Sequence, residues 1–176
     1  MERIHPAAKA WNSYEGKVWA MSGWDLFCQE WYYNKAVFDA AGVAEPKTKE
    51  ELYQACKDLA GTVRYPFLFA GMSTWLWPEL LALIQAQTCG ITLIEQGTAA
   101  KDYHIPELKQ AVELFAEMWA NIVPDDSLGI EAGDSITTFA NGEVGIISYH
   151  TAWLAYIKAT VSEAGKVILG LSLIHI

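Results

Sequence analysis

The amino-acid sequence predicts a helix-rich α/β domain, and three observations carry that prediction. Apolar residues recur at helical spacing behind recognisable helix starts, at Thr48 and again at Pro106. Short aromatic or β-branched runs, such as Trp31-Tyr32-Tyr33, separate those helices. No internal repeat or low-complexity tract interrupts the alternation.

Tyr14-Glu15-Gly16-Lys17 reads as a turn into a short strand over 18–21. Trp31-Tyr32-Tyr33 is the next strand. A helix over about 34–41 follows, and Gly42 stops it by tolerating a left-handed backbone. Thr48 and Glu51 form a capping box, after which Leu52, Ala55, Cys56 and Leu59 share one face and Gly61 ends the helix. Residues 65–70 read as an aromatic strand; Pro66 cannot donate to a ladder, which places it at a sheet edge. Pro78 suits the first turn of a helix running to about residue 88. Pro106 starts the clearest amphipathic helix, with Leu108, Ala111, Val112, Phe115, Met118 and Trp119 on one face and Pro124 beyond its end. Asp134 caps a short helix holding Ile136, Phe139 and Ala140, closed by Asn141-Gly142. A strand over 144–148, a helix over 151–160 and a last strand over 166–169 complete the series.

With 176 residues, the chain is long enough for one domain with an adequate core. Hydrophobic residues at 52% against 19% charged give a globular balance. A net charge of −9 argues against binding the nucleic-acid backbone and fits a neutral ligand. The richest apolar run, 76–86, is broken by Pro78, Glu79 and Gln85 and is too short to span a bilayer. The first six residues lack the apolar region of a signal peptide, which on its own points to the cytoplasm. Cys28, Cys56 and Cys89 are widely spaced and odd in number, so they do not decide the redox compartment.

Catalytic signatures are absent: there is no GxSxG, HExxH, Walker loop or GxGxxG. His5, His104, His150 and His175 have no metal-ligand spacing, and neither a metal nor another cofactor is expected. Asp25 and Glu30 are close enough in sequence for a carboxylate pair, but they read as solvated groups or as one ligand hydrogen bond. The most unusual count is eight Trp beside eight Tyr and six Phe. Trp is seldom fully buried, because its ring is large and its N–H needs a partner, so this number suggests a cleft lined with flat faces.

Three segments then carry a resemblance. The first is Tyr14-Glu15-Gly16-Lys17-Val18-Trp19-Ala20 followed by Tyr32-Tyr33-Asn34-Lys35-Ala36-Val37-Phe38-Asp39-Ala40-Ala41-Gly42. The second is Pro46-Lys47-Thr48-Lys49-Glu50-Glu51-Leu52, and the third is Phe139-Ala140-Asn141-Gly142-Glu143-Val144-Gly145-Ile146-Ile147 with Trp153 beyond it. In order and spacing they resemble the extracellular solute-binding proteins of family 1, the maltose-binding-like sugar receptors of ABC importers. The sequence departs from that pattern at Met21-Ser22-Gly23-Trp24, where the family usually has a proline, and around His150-Thr151, where it usually has a glycine.

The resemblance implies a periplasmic-binding-protein type II lobe, helix-rich and incomplete. Residues 1–24 would end the first lobe and form the hinge crossover, and 25–170 would form most of the second. The hexapeptide 171–176 resembles the translated transposon end of a library adapter and is expected to be a non-native tail, the alternative being a genuine apolar strand. By the same resemblance, ligand contacts come from three loops: Trp24, Asp25 and Phe27; Ser73, Thr74, Trp75 and Trp77; and Tyr149, His150 and Trp153. Trp75 and Trp153 lead this set; Trp77 suits core or wall equally, Trp119 reads as core, and Trp11, Trp19 and Trp31 as packing or interlobe contacts.

The implied partners are a sugar or oligosaccharide and an ABC permease in the membrane, with no nucleic acid and the receptor a monomer. The implied location is periplasmic or extracellular, lipid-anchored or free, and no enzyme activity is expected. One lobe holds only part of the contacts, so the chain alone is expected to bind sugar weakly or not at all. The rival readings are a polyamine or peptide ligand on the same fold, a Trp-rich glycoside hydrolase fragment, or a helical interaction module.

Overall fold

The computed structural model describes residues 9, 10, 12–20, 29–88, 90, 104–164 and 169–172. Near the N-terminus, β1 (Ser13–Tyr14) and β2 (Lys17–Val18) form an antiparallel hairpin with Ser13 opposite Val18. Glu15 and Gly16 both take positive φ, 50° and 75°, the turn geometry that matches the twist of a two-residue hairpin.

The main sheet has four strands: β3 (Gln29–Asn34), β4 (Tyr65–Leu68), β5 (Val144–His150) and β6 (Leu169–Ser172), in the order β4-β5-β3-β6. β4 runs parallel to β5, while β3 is antiparallel to both β5 and β6. Pro66 does lie on an edge strand. The strand expected over 65–70 ends at Leu68, though Phe69 and Ala70 beyond it stay buried. β5 is buried along all seven residues, as a strand covered on both faces must be. It runs two residues past its expected end because Tyr149 and His150 pair with Glu30 and Gln29. The last strand lies later than the expected 166–169, of which 166–168 fall outside the described residues; Leu171 and Ser172 pair with Tyr32 and Trp31.

The helices follow their caps. α1 (Lys35–Ala41) starts where the Asn34 side chain accepts the Ala36 N–H at 3.1 Å and stops at Gly42, φ 67°. α2 (Lys49–Asp58) starts where Thr48 Oγ1 accepts the Glu51 N–H at 3.2 Å. The Glu51 carboxylate reaches back to the Lys47 N–H, one residue outside the expected box. α3 (Leu76–Thr88) carries Pro78 in its first turn, and α4 (Pro106–Ile122) packs against it. Val112, expected on the apolar stripe of α4, is instead 50% exposed; Leu108, Ala111, Met118 and Ile122 form the buried face.

α5 (Ala132–Ala140) corrects another expectation. Asp134 is not the cap but sits within the first turn. The cap position is Glu131, and the Ala132 N–H is accepted by Ser73 Oγ at 2.9 Å, from a distant loop. A 3₁₀ turn, Thr151–Trp153, leads into α6 (Leu154–Ala164).

The core lies on both sides of β5. On one face Trp31 meets Phe67 at 5.3 Å between ring centroids. β4 and β5 approach so closely that a Cβ on Gly145 would lie 2.6 Å from the Pro66 carbonyl oxygen. Cys56 is buried and free, and burial pushes its thiol up to about 12, so the reactive thiolate is withheld. No helix among the described residues is long and apolar enough to cross a membrane.

Candidate functional site

Because β4 and β5 are parallel, their carboxyl ends open at the same end of the sheet, where ligands of open α/β sheets bind. From β4 the chain passes through a short loop and a turn at Thr74-Trp75 into α3. From β5 it passes through Thr151–Trp153 into α6. β3 runs the other way, so its first residue, Gln29, lies opposite His150. Backbone bonds fix the β4 loop: Gly71 N–H donates to the Ser127 carbonyl and Met72 N–H to that of Ile130, at 2.9 and 3.1 Å. Gly71 has no room for a side chain, since a Cβ there would sit 2.8 Å from the Ser127 oxygen.

This architecture brings Trp75 and Trp153 together. Their rings stack at 5.6 Å between centroids and 9° between planes. His150 packs edgewise against Trp75 at 5.8 Å, Tyr149 is tilted against Trp153 at 5.7 Å, and Tyr156 meets Trp153 edgewise at 5.8 Å. Such a pair contributes about 0.5–1.5 kcal/mol beyond its buried area and holds both rings in a fixed orientation. Trp75 remains 38% exposed and Tyr156 48%. The two indoles are too close to admit a third ring between them, so a flat ligand must lie on the outer surface of the stack.

Trp77 takes a different position. Its indole N–H donates to the Gly71 carbonyl at 2.9 Å, and its ring stacks on Trp119 at 4.6 Å, with Phe69 and Phe115 beside it. The structure therefore places Trp77 in the packing between α3 and α4, together with Trp119, and apart from the Trp75 stack. Trp31 is buried in the sheet core, and Trp19 is 69% exposed on the hairpin. A groove of about 290 Å³ at that hairpin is lined by Asn12, Ser13, Tyr14, Trp19 and Ala20 and belongs to neither tryptophan cluster.

Two expected polar contacts already have internal partners. Ser73 Oγ donates to Glu131 Oε2 at 2.9 Å while accepting from Ala132. The Tyr149 hydroxyl donates to the Ala132 carbonyl at 3.0 Å and shares a hydrogen bond with Ser135 Oγ; burial pushes its phenol pKa up. Thr74 is exposed at the rim. Trp24, Asp25 and Phe27 lie outside the described residues, so the distance from Asp25 to Glu30 is not defined; Glu30 accepts from the Tyr32 hydroxyl at 3.0 Å.

Two residues at the site were not singled out in the sequence. Glu79, on the first turn of α3, places Oε1 3.8 Å from His150 Nε2. Burial raises the Glu79 carboxyl and lowers the His150 imidazole, each toward its neutral form. Gln29 donates to Ser148 Oγ at 2.9 Å on the same sheet face as His150. An acid in a helix's first turn is common because it suits the helix dipole, so nothing in the sequence marked Glu79 out. Among the described residues no group of three or more His, Cys, Asp or Glu could hold a metal ion.

The family model described as bacterial extracellular solute-binding protein matches residues 2–172. Among curated proteins no sequence match is found. A probable secreted solute-binding lipoprotein from Streptomyces coelicolor is similar in structure, with a TM-score of 0.72 and 26% identity over 96% of this chain and 43% of its own. RafE from Streptococcus pneumoniae gives 0.67 and 22%, over 84% of this chain and 39% of its own. A sugar transporter from Bacillus licheniformis in complex with stachyose gives 0.68 and 18%, over 96% of this chain and 45% of its own. The chain thus spans less than half the length of these solved relatives. With its mixed α/β fold and a family match over nearly its whole length, the chain belongs to the bacterial extracellular solute-binding proteins.

Proposed function

We propose that this chain is the greater part of one lobe of the substrate-binding component of an ABC importer, and that it binds a carbohydrate against the outer surface of the Trp75–Trp153 stack. The observation that carries this reading is the parallel indole pair, partly exposed at the carboxyl ends of β4 and β5. A pyranose has an apolar C–H face that matches a flat ring, and polar groups at the rim fix its orientation. Solved relatives support the ligand class: one was determined with stachyose, RafE with raffinose, and a third is a chitin oligosaccharide binding protein.

In this reading, residues 1–24 end the first lobe and form the crossover, and Trp24, Asp25 and Phe27 are further ligand contacts. Thr74 and His150 border it, while Ser73, Trp77 and Tyr149 act through packing and internal hydrogen bonds. The receptor works outside the cytoplasm, consistent with its extracellular family, as a monomer that docks on a membrane permease, free or lipid-anchored. The sugar bridges two lobes and favours closure only through contacts absent from the open form.

Titration with raffinose, stachyose and chito-oligosaccharides, followed by NMR of the indole N–H groups, tests the wall. One lobe supplies part of the contacts, so affinity is expected in the millimolar range, with the Trp75 and Trp153 signals moving and those of Trp77 and Trp119 still. Motion of Trp77 and Trp119 instead, or no motion with any of the sugars, would overturn the reading.

A further inference from the structure

Around His150, whose ring packs against both stacked indoles, lie two buried acceptor atoms. Gln29 Oε1 and Glu79 Oε2 are each out of reach of solvent and have no hydrogen-bond partner among the described residues. They come from different elements, β3 and α3, and are gathered around one residue. Gln29 is the strand partner of His150, with its side chain on the same face, and the other Glu79 oxygen, Oε1, lies 3.8 Å from His150 Nε2. The His150 ring in turn packs against both Trp75 and Trp153. A buried acceptor left unsatisfied costs roughly 1–3 kcal/mol, more if charged, so two beside one aromatic wall require an explanation.

We infer that Gln29 and Glu79 form the polar floor of the carbohydrate site, accept hydrogen bonds from ligand hydroxyls, and select neutral sugars over acidic ones. This inference rests on the sugar-wall reading above and assigns it two specificity-determining residues. Both oxygens can only accept. A hydroxyl donates to either, whereas a uronic acid carboxylate would face the Glu79 carboxylate with no proton between them and be repelled. Neither oxygen is reached by water in this structure, so a ligand hydroxyl reaches them only as side chains beside His150 rearrange, with the indole pair kept as the wall. The net charge of −9 disfavours acidic ligands in the same direction.

The test pairs a neutral oligosaccharide with the same oligosaccharide carrying one uronic acid residue, titrated against the chain and against Glu79→Gln and Gln29→Leu, with the indole N–H signals as readout. For the unaltered chain, the neutral sugar is expected to bind at least about tenfold more tightly than its acidic counterpart. Glu79→Gln removes the repelling charge and supplies a donor, so that ratio shrinks at least about tenfold. Gln29→Leu weakens both sugars and leaves the ratio unchanged. Near-ultraviolet circular dichroism of the stacked indoles reports whether each variant keeps the wall.

If neutral sugars move Trp75 and Trp153 but both variants, with the wall intact, bind neutral and acidic sugars as the unaltered chain does, the floor is refuted and the wall stands. Should no sugar move those signals, wall and floor fall together. A variant that loses the indole couplet is replaced by Glu79→Asp, which keeps the charge. It should retain discrimination against the acidic sugar, and loss of discrimination there would count against the floor.

Discussion

Two pairs of stacked tryptophans each take one member from Trp75 and Trp77, two residues apart, and sit in opposite surroundings. Trp77 and Trp119 stack at 4.6 Å inside the α3–α4 packing, with Phe69 and Phe115 closing the cluster and the Trp77 N–H bonded to Gly71. Trp75 and Trp153 stack at 5.6 Å at the end of the sheet, and Trp75 keeps 38% of its surface in solvent. Trp75 lies in the turn just before α3 and Trp77 in the first turn of that helix, and one ring meets Trp153 while the other meets Trp119. The same residue type thus provides buried packing in one pair and a partly exposed face in the other, the face that the proposed function makes a platform.

Truncation separates the two most strongly. Trp119→Ala and Trp77→Ala each remove a large ring from a packed cluster and should destabilise the chain by about 3–5 kcal/mol in urea unfolding. Trp75→Ala removes a ring that already faces water on one side and should cost about 1 kcal/mol or less, while abolishing the sugar-induced shift of Trp153. Equal stability losses at Trp75 and Trp119 would erase the distinction between platform and packing.

A smaller effect is expected at Tyr149, whose ring touches the outer pair but whose hydroxyl belongs to the interior. Tyr149→Phe leaves the ring against Trp153 and deletes the bonds to Ala132 and Ser135. It should destabilise the chain by about 1–2 kcal/mol without altering sugar binding. A loss of affinity at unchanged stability would instead put that hydroxyl in the site.

Much of this contrast was legible in the sequence. The capping box at Thr48, the edge strand at Pro66 and the α4 stripe ending in Trp119 each follow from local chemistry, and Trp75 and Trp153 were the leading wall candidates. What was hidden was tertiary. Ser73 looked like a rim residue but bonds the first turn of α5, in the role expected of Asp134, because β4 delivers its loop beside that helix. Trp77 could not be assigned until Gly71 was seen to accept its N–H. Gln29 and Glu79 carried no motif, since only the antiparallel pairing of β3 with β5 and the docking of α3 bring them to His150.

The outer pair also differs from the inner one in what lies beside it, and the smallest prediction concerns that difference. Burial raises the Glu79 carboxyl above its ordinary value, so the folded chain holds this proton in a pH window where the unfolded chain has released it. Stability therefore falls as pH rises through that window, and the penalty is present above it. Glu79→Gln removes the charge while keeping the shape, and it should raise the melting temperature at pH 7 by about 2–4 °C, a gain of about 1 kcal/mol for a chain of this size. Below about pH 4 both proteins are neutral at this position and the difference should vanish. His150 is present in both, so its opposite shift, a lowered imidazole whose contribution is lost on acidification, largely cancels in the comparison. A variant that is more stable yet discriminates less between neutral and acidic sugars would show that Glu79 is kept at a cost to the fold, as a group retained for binding. A Glu79→Gln protein that melts lower than the unaltered chain at pH 7, or by a difference that does not change with pH, would mean that the carboxylate is a stabilising partner of His150 instead.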